Sequence, residues 1–250
     1  MQDLRLLFEL QRLLLRQFSP RRRVESWDRS TKKYVSNATH RMASEISITT
    51  EHYSLRREQN CAVLELRSGE GTNILAMAKV RSVLAAIQGL DEKAQRSKMK
   101  ALIITGNEKF FSAGADLNEL SQLTAAQAFE FSRCGQALMQ AIDQFPVLVI
   151  ADIRGYCMGG GMDMALACDH RIAAPNAVFG HRGANLGVMT GWGGTQRLPR
   201  LIGKARAMQM FLLAEMVKAE EALRIGLVDR IADDPLQCAL RWTNSSRLRC

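Results

Sequence analysis

Two glycine-rich turns, Ser112-Ala113-Gly114-Ala115-Asp116 and Gly159-Gly160-Gly161-Met162-Asp163, constrain what this chain can fold into more than any other feature. Each follows an apolar run and precedes a helical pattern. Ala101-Leu102-Ile103-Ile104-Thr105 and Val147-Leu148-Val149-Ile150-Ala151 are short, β-branched runs between turn signals, which predicts strands buried on both faces of an α/β layer. The turns then lie at the carboxyl ends of neighbouring strands, where open α/β sheets bind ligands. Met162 to Cys168 is apolar except at Asp163, as expected for a buried helix. Its first turn offers unpaired N–H groups and the positive end of the helix dipole. Taken singly, each glycine set serves a tight strand-to-helix turn; taken together, two such turns can make an oxyanion hole, since glycine leaves the backbone open to close approach.

Composition bounds the rest. A chain of 250 residues with 47% apolar content can bury one sizeable core. The net charge of +9 suggests a nucleic-acid or membrane partner until it is located. Residues 1–45 and 241–250 carry most of the excess, while residues 46–240 are almost balanced, so no basic recognition face is expected on the body and neither nucleic acid nor membrane is an expected partner. No apolar run is long enough to span a bilayer. The six cysteines form no CxxC pair and no zinc-like spacing with histidine, which predicts a reducing compartment and no metal site. Cys157 and Cys168 fall in expected core segments. Neither a phosphate loop nor a dinucleotide fingerprint is present.

Three motifs carry a resemblance. Lys109-Phe110-Phe111-Ser112-Ala113-Gly114-Ala115-Asp116-Leu117, Gly155-Tyr156-Cys157-Met158-Gly159-Gly160-Gly161-Met162-Asp163 and Gly193-Gly194-Thr195-Gln196-Arg197-Leu198 resemble, in unbroken order, the enoyl-CoA hydratase/isomerase (crotonase) superfamily. The resemblance implies an α/β fold with a spiral ββα core and flanking helices, a homotrimer or hexamer, and acyl-CoA thioesters as substrates. No cofactor is implied, because CoA is carried by the substrate. The thioester oxygen would sit between the N–H groups of Ala115 and Gly160, and Ala113, Gly114, Asp116 and Leu117 would line the CoA path. Asn118 stands where hydratases often carry a lysine.

The proton-transfer groups depart from the hydratase pattern. Hydratases of the family place one glutamate at the position of Asp163 and a second at that of Gly183. Syn addition of water asks one group to activate water and another to deliver a proton, each contributing about 100- to 10,000-fold. Glycine has no side chain to do either. Asp163, an acid in an otherwise apolar helical turn, is the leading candidate, since burial would raise its pKa into a useful range; the helix dipole pulls the other way and allows a structural role. His181 is a second candidate, with the surface or hydrogen-bonded role of a lone loop histidine as its alternative. A water or bicarbonate in space left by Gly183 is a third. Double-bond isomerisation asks least, because one carboxylate can shuttle one proton. The loop pattern around Phe179-Gly180 and Gly183 is similar to that of naphthoyl-CoA synthases.

Three boundaries are expected: a basic N-terminal extension or targeting segment over 1–45, a catalytic core over 46–235 and a short basic tail over 236–250. Met42-Ala43-Ser44-Glu45 would make an ordinary start, which favours a cytoplasmic location, with the mitochondrial matrix as alternative if residues 1–45 are a transit peptide. Lys218 to Gly226 reads as a helix. The chain ends soon after Leu227-Val228-Asp229-Arg230-Ile231, so the resemblance implies a C-terminal helical lid cut short. A non-catalytic acyl-CoA-binding relative and a subunit of a mixed oligomer stand beside the enzyme as readings of the whole.

Overall fold

The computed structural model describes residues 47–94 and 99–244. The extension expected over 1–45 lies outside the described residues. Strands β1 (Ser47–Thr49), β2 (Tyr53–Glu58) and β3 (Cys61–Leu66) form an antiparallel meander. A short β4 (Ile74–Leu75) leads into helix α1 (Met77–Ala94). Then come β5 (Ala101–Thr105), β6 (Phe110–Ser112), β7 (Gly114–Ala115) and helices α2 (Leu117–Gln122) and α3 (Ala125–Asp143). The pattern repeats with β8 (Leu148–Ile153), β9 (Tyr156–Met158) and α4 (Gly160–Ala167). Strands β10 (His170–Ala173) and β11 (Val178–Gly180), a 3-10 turn (Arg182–Leu186) and helices α5 (Gly194–Ile202) and α6 (Lys204–Leu212) follow. The described chain closes with β12 (Met216–Lys218), α7 (Ala219–Arg224), β13 (Arg230–Ile231) and α8 (Pro235–Asn244).

The main sheet runs β1-β2-β3-β5-β8-β10-β13, parallel from β3 onward. Side chains alternate across it as the pleat requires. Leu102 and Ile104 of β5 face the larger apolar cluster, with α1, α3 and α4, whereas Ala101 and Ile103 face a smaller one on the opposite side. Both expected strands are therefore buried on both faces, and Cys157 and Cys168 are core residues.

The glycine turns do not spring directly from β5 and β8. They hang from the short strands β6 and β9, which pair in parallel in a second sheet ordered β12-β11-β9-β6. Two- and three-residue strands are too brief for an alternation signal, so this second layer is not legible in the sequence.

The tail expected from 236 onward is corrected in part. Residues 235–244 are a helix whose Cys238, Ala239 and Leu240 cover the smaller cluster of the main sheet. Asp234 accepts the Gln237 N–H at 3.2 Å ahead of Pro235 at the first helical position, a capped start that the neighbouring arginines obscured. Residues 245–250 lie outside the described residues. No helix among the described residues is long and apolar enough to cross a membrane.

Candidate active site

The two glycine turns meet at the edge of the second sheet. A methyl group on Gly114 would lie 2.8 Å from the Met158 carbonyl oxygen and 3.2 Å from the Gly160 nitrogen, and one on Gly161 would lie 2.6 Å from Ser112 Cβ. These backbones touch where side chains would otherwise stand, and Gly114 also has φ +97°. Ser112, fully buried, ties the first turn down: its hydroxyl donates to the Asn73 carbonyl at 2.7 Å and accepts from the Gly114 N–H at 3.1 Å. Gly159, at φ 49° and ψ −117°, opens α4 with no side-chain cap, so the Gly160 N–H has no acceptor within the helix.

In front of the turns lies a cavity of about 660 Å³, walled by Ala113–Asn118, by Phe129 and Phe131 of α3, and by the segment from His181 to Trp192. Ala113, Gly114, Ala115, Asp116, Leu117 and Gly160 all border it, together with Asp163 and His181. Asp116 has a further duty as the cap of α2, its Oδ1 accepting the Asn118 and Glu119 N–H groups at 2.9 and 3.1 Å. Trp192, almost fully buried, is a wall that the sequence did not reveal. Its indole covers Gly160, whose missing Cβ would be 2.4 Å from Cζ3, and stacks on Phe131 at 5.1 Å between ring centres.

Asp163 and His181 come together from α4 and the end of β11. Asp163 is 0% exposed and His181 3%. Asp163 Oδ1 stands 3.5 Å from His181 Nε2, and neither atom has a hydrogen-bond partner among the described residues. Burial pushes the Asp163 carboxyl up to about 7; the Thr190 hydroxyl, the charge of Arg197 and the amides of Gly194 and Trp192 hold it back. Burial drives the His181 imidazole down to about 4. The contact is therefore not a permanent ion pair: the imidazole is neutral, and a proton taken up by the pair rests on the carboxyl. Thr190 Oγ1 donates to Asp163 Oδ2. The carboxyl occupies the space where a Gly194 side chain would be, 2.1 Å from its ideal Cβ, which explains why glycine opens α5.

Gly183 stands where a side chain would meet backbone. Its Cβ position lies 2.4 Å from the Val188 carbonyl oxygen, in a turn closed by the Val188 N–H bond to the Gly183 carbonyl at 2.9 Å. That contact leaves no room for a side chain at 183, while Gly183 itself borders the cavity.

The family model described as Enoyl-CoA hydratase/isomerase matches residues 56–244. The chain is 38% identical over 182 residues to a crotonyl-CoA hydratase of Syntrophomonas wolfei, covering 72% of this chain and 69% of that protein. Among solved structures it superposes on an enoyl-CoA hydratase of Geobacillus kaustophilus with a TM-score of 0.75 and 31% identity, over 81% of this chain and 78% of that one. A similar match, TM-score 0.73 and 32% identity over 77% and 75% of the two chains, is made with an enoyl-CoA hydratase of Bacillus anthracis. The protein belongs to the enoyl-CoA hydratase/isomerase family, and its α/β architecture is the crotonase fold.

Proposed function

We propose that this protein binds enoyl-CoA thioesters in the cavity and adds water across the 2,3 double bond, reversibly, through a thioester enolate. The observation that carries the reading is the buried pair of Asp163 and His181 at the cavity wall, 3.5 Å apart with both facing atoms unpartnered. The thioester oxygen accepts hydrogen bonds from the Ala115 and Gly160 N–H groups. Charge moving onto that oxygen during attack is then met by fixed donors, each worth about 3 to 4 kcal/mol in the transition state. The Asp163 carboxylate takes up the proton that the attacking water loses and gives it back to the carbon beside the thioester, so one proton enters and one leaves. His181, neutral at ordinary pH, faces the Asp163 carboxyl where a second carboxylate would repel it. No metal or cofactor enters this account.

Isomerisation of the double bond is the second reading, and Gly183 favours it, because the site holds one proton-carrying centre rather than two carboxylates. Incubation with 2-enoyl- and 3-enoyl-CoA esters in deuterated water, followed by mass spectrometry, separates them. Hydration yields a 3-hydroxyacyl ester with deuterium at the adjacent carbon; isomerisation moves the double bond at constant hydrogen count. Saturable ester binding without product from any ester would overturn both readings in favour of a non-catalytic binder. A homotrimer or hexamer, and a cytoplasmic site of action, accompany the enzyme reading.

A further inference from the structure

The proton carrier proposed above is sealed. Asp163 has no exposed surface, and His181 has almost none. A carboxyl that no solvent-sized probe reaches cannot itself meet the attacking water, so another group has to join it to the cavity.

Thr190 has the required position. It is half-buried, borders the same cavity and donates its hydroxyl hydrogen to Asp163 Oδ2. Its Oγ1 also accepts the Trp192 N–H at 3.5 Å. A hydroxyl has one hydrogen and two lone pairs. With the hydrogen committed to Asp163 and one lone pair to Trp192, one lone pair remains to accept a hydrogen bond from the cavity. The segment carrying Thr190 starts at Gly187 and ends at Gly193, with φ 69° and 105°, and Trp192 is packed against Gly160 and Phe131, so the hydroxyl is held by structure on both sides.

We propose that the Thr190 hydroxyl is a proton relay between the cavity and Asp163, and that it is the group the attacking water touches. The inference rests on the hydration reading. In the addition direction an O–H bond of water breaks and an O–H bond forms at Thr190 Oγ1, while the original Thr190 O–H bond breaks and an O–H bond forms at Asp163 Oδ2. The water electron pair forms the new bond to carbon 3, and the displaced π pair ends on the thioester oxygen. The relay runs backward to deliver the proton to carbon 2. Thr190 is unchanged after each cycle, and no oxidant or other reactant is needed.

The same hydrogen bond stabilises the ionised carboxylate. The other groups facing Asp163 are His181 from the end of β11, Arg197 of α5, the Cys157 thiol of β9 and the amides of Gly194 and Trp192. Of these, only the Trp192 amide also touches Thr190, through its long 3.5 Å bond to Oγ1, and serine keeps that acceptor. Removing the hydroxyl therefore leaves a specific signature in the pH profile.

The test compares hydration of a short 2-enoyl-CoA across pH by the wild type, Thr190→Val, Thr190→Ser and Asp163→Asn. Thr190→Val keeps the shape and lacks the hydroxyl. Its kcat is expected to fall about 100-fold with KM little changed. The acid limb of its profile should move up by about one to two pH units, the worth of one hydrogen bond to a charged group. Thr190→Ser should restore both. A Thr190→Val protein with wild-type rate and profile, beside an inactive Asp163→Asn, overturns the relay and leaves the hydration reading intact. A loss of rate that serine does not rescue, with the acid limb unmoved, assigns Thr190 to packing and also overturns it. A wild type that binds the ester and never hydrates it sinks the hydration reading and the relay together.

Discussion

Asp152 and Asp163 are two buried carboxylates with almost the same credentials and different surroundings. Each accepts a threonine hydroxyl, from Thr105 at 2.8 Å and from Thr190, and burial pushes them up to about 6 and about 7. Asp152 lies near the end of β8, 3.6 Å from Arg154 Nε, and Arg154 runs on to Glu108 at 3.2 Å and Asp234 at 2.8 Å at the surface. Asp163 faces a neutral imidazole and borders a cavity. A raised pKa alone does not mark a proton carrier. A guanidinium neither gives nor takes a proton at any working pH, so the Asp152 network can only hold strands and the start of α8 together. A buried carboxyl that faces a neutral imidazole beside a cavity can take one up and release it.

Replacing each carboxyl by an amide should separate the two aspartates most strongly. Asp163→Asn should lower hydration by about 100- to 10,000-fold with thioester binding nearly intact, whereas Asp152→Asn should cost stability and leave turnover per folded molecule unchanged. Steady-state rates corrected for folded fraction decide it; equal losses in the two variants would erase the distinction. Next in size is the wall over the Asp163 side. Trp192→Ala empties the space against Gly160, Gly135 and Phe131 and should destabilise the fold by about 3 to 5 kcal/mol in denaturant unfolding. A change below about 1 kcal/mol would mean that the indole is not packed as described.

The two carboxyls also separate in the pH dependence of stability. Both carboxyls have folded pKa values above the usual carboxylate range, so the folded state holds protons that the unfolded chain releases, and stability falls as pH rises. For Asp163 the loss accrues between about pH 4 and about pH 7, and for Asp152 it is complete near pH 6. Denaturant midpoints across that range should flatten in Asp163→Asn at the upper end and in Asp152→Asn at the lower. His181 adds the opposite slope: its protonation is resisted by burial, so stability drops as pH falls from about 6.5 toward about 4. The smallest effect is expected from Gly194→Ala. Its methyl would stand 2.1 Å from Asp163 Oδ1 and 3.0 Å from His181 Nε2. Moving the carboxyl aside should cost about 1 to 3 kcal/mol of stability and lower the rate; full activity would show that the contact has slack.

Much of this was legible because it is local. The runs at 101–105 and 147–151, the glycine turns and the buried helix bearing Asp163 each announce themselves within a few residues. Lys218 to Gly226 was also readable, as α7 shows. The rest depends on residues brought together by the fold. Thr190 lies 27 positions from Asp163 and reaches it only because the segment before α5 turns back over α4. The sequence offers His181 as a proton carrier or an ordinary loop histidine, and only the fold encloses its imidazole beside that carboxyl and against Phe211, 5.0 Å between ring centres. Gly183 suggested an empty place, yet a missing side chain says nothing about which backbone has moved in, and here it is Val188. The helix over 235–244 was hidden because its buried stripe, Cys238, Ala239 and Leu240, is short and flanked by arginine.

The seal over Asp163 also governs the identity of hydrogen atoms. A proton lodged on a carboxyl with no exposed surface exchanges with bulk water only as fast as its hydroxyl neighbour lets it go. On the relay proposed above, hydrogen that leaves one carbon of a bound ester returns to the same molecule before it is diluted. Such a relay would keep an isotopic memory of its substrate, and the depth of that memory would be set by how tightly Thr190 and Trp192 close the wall.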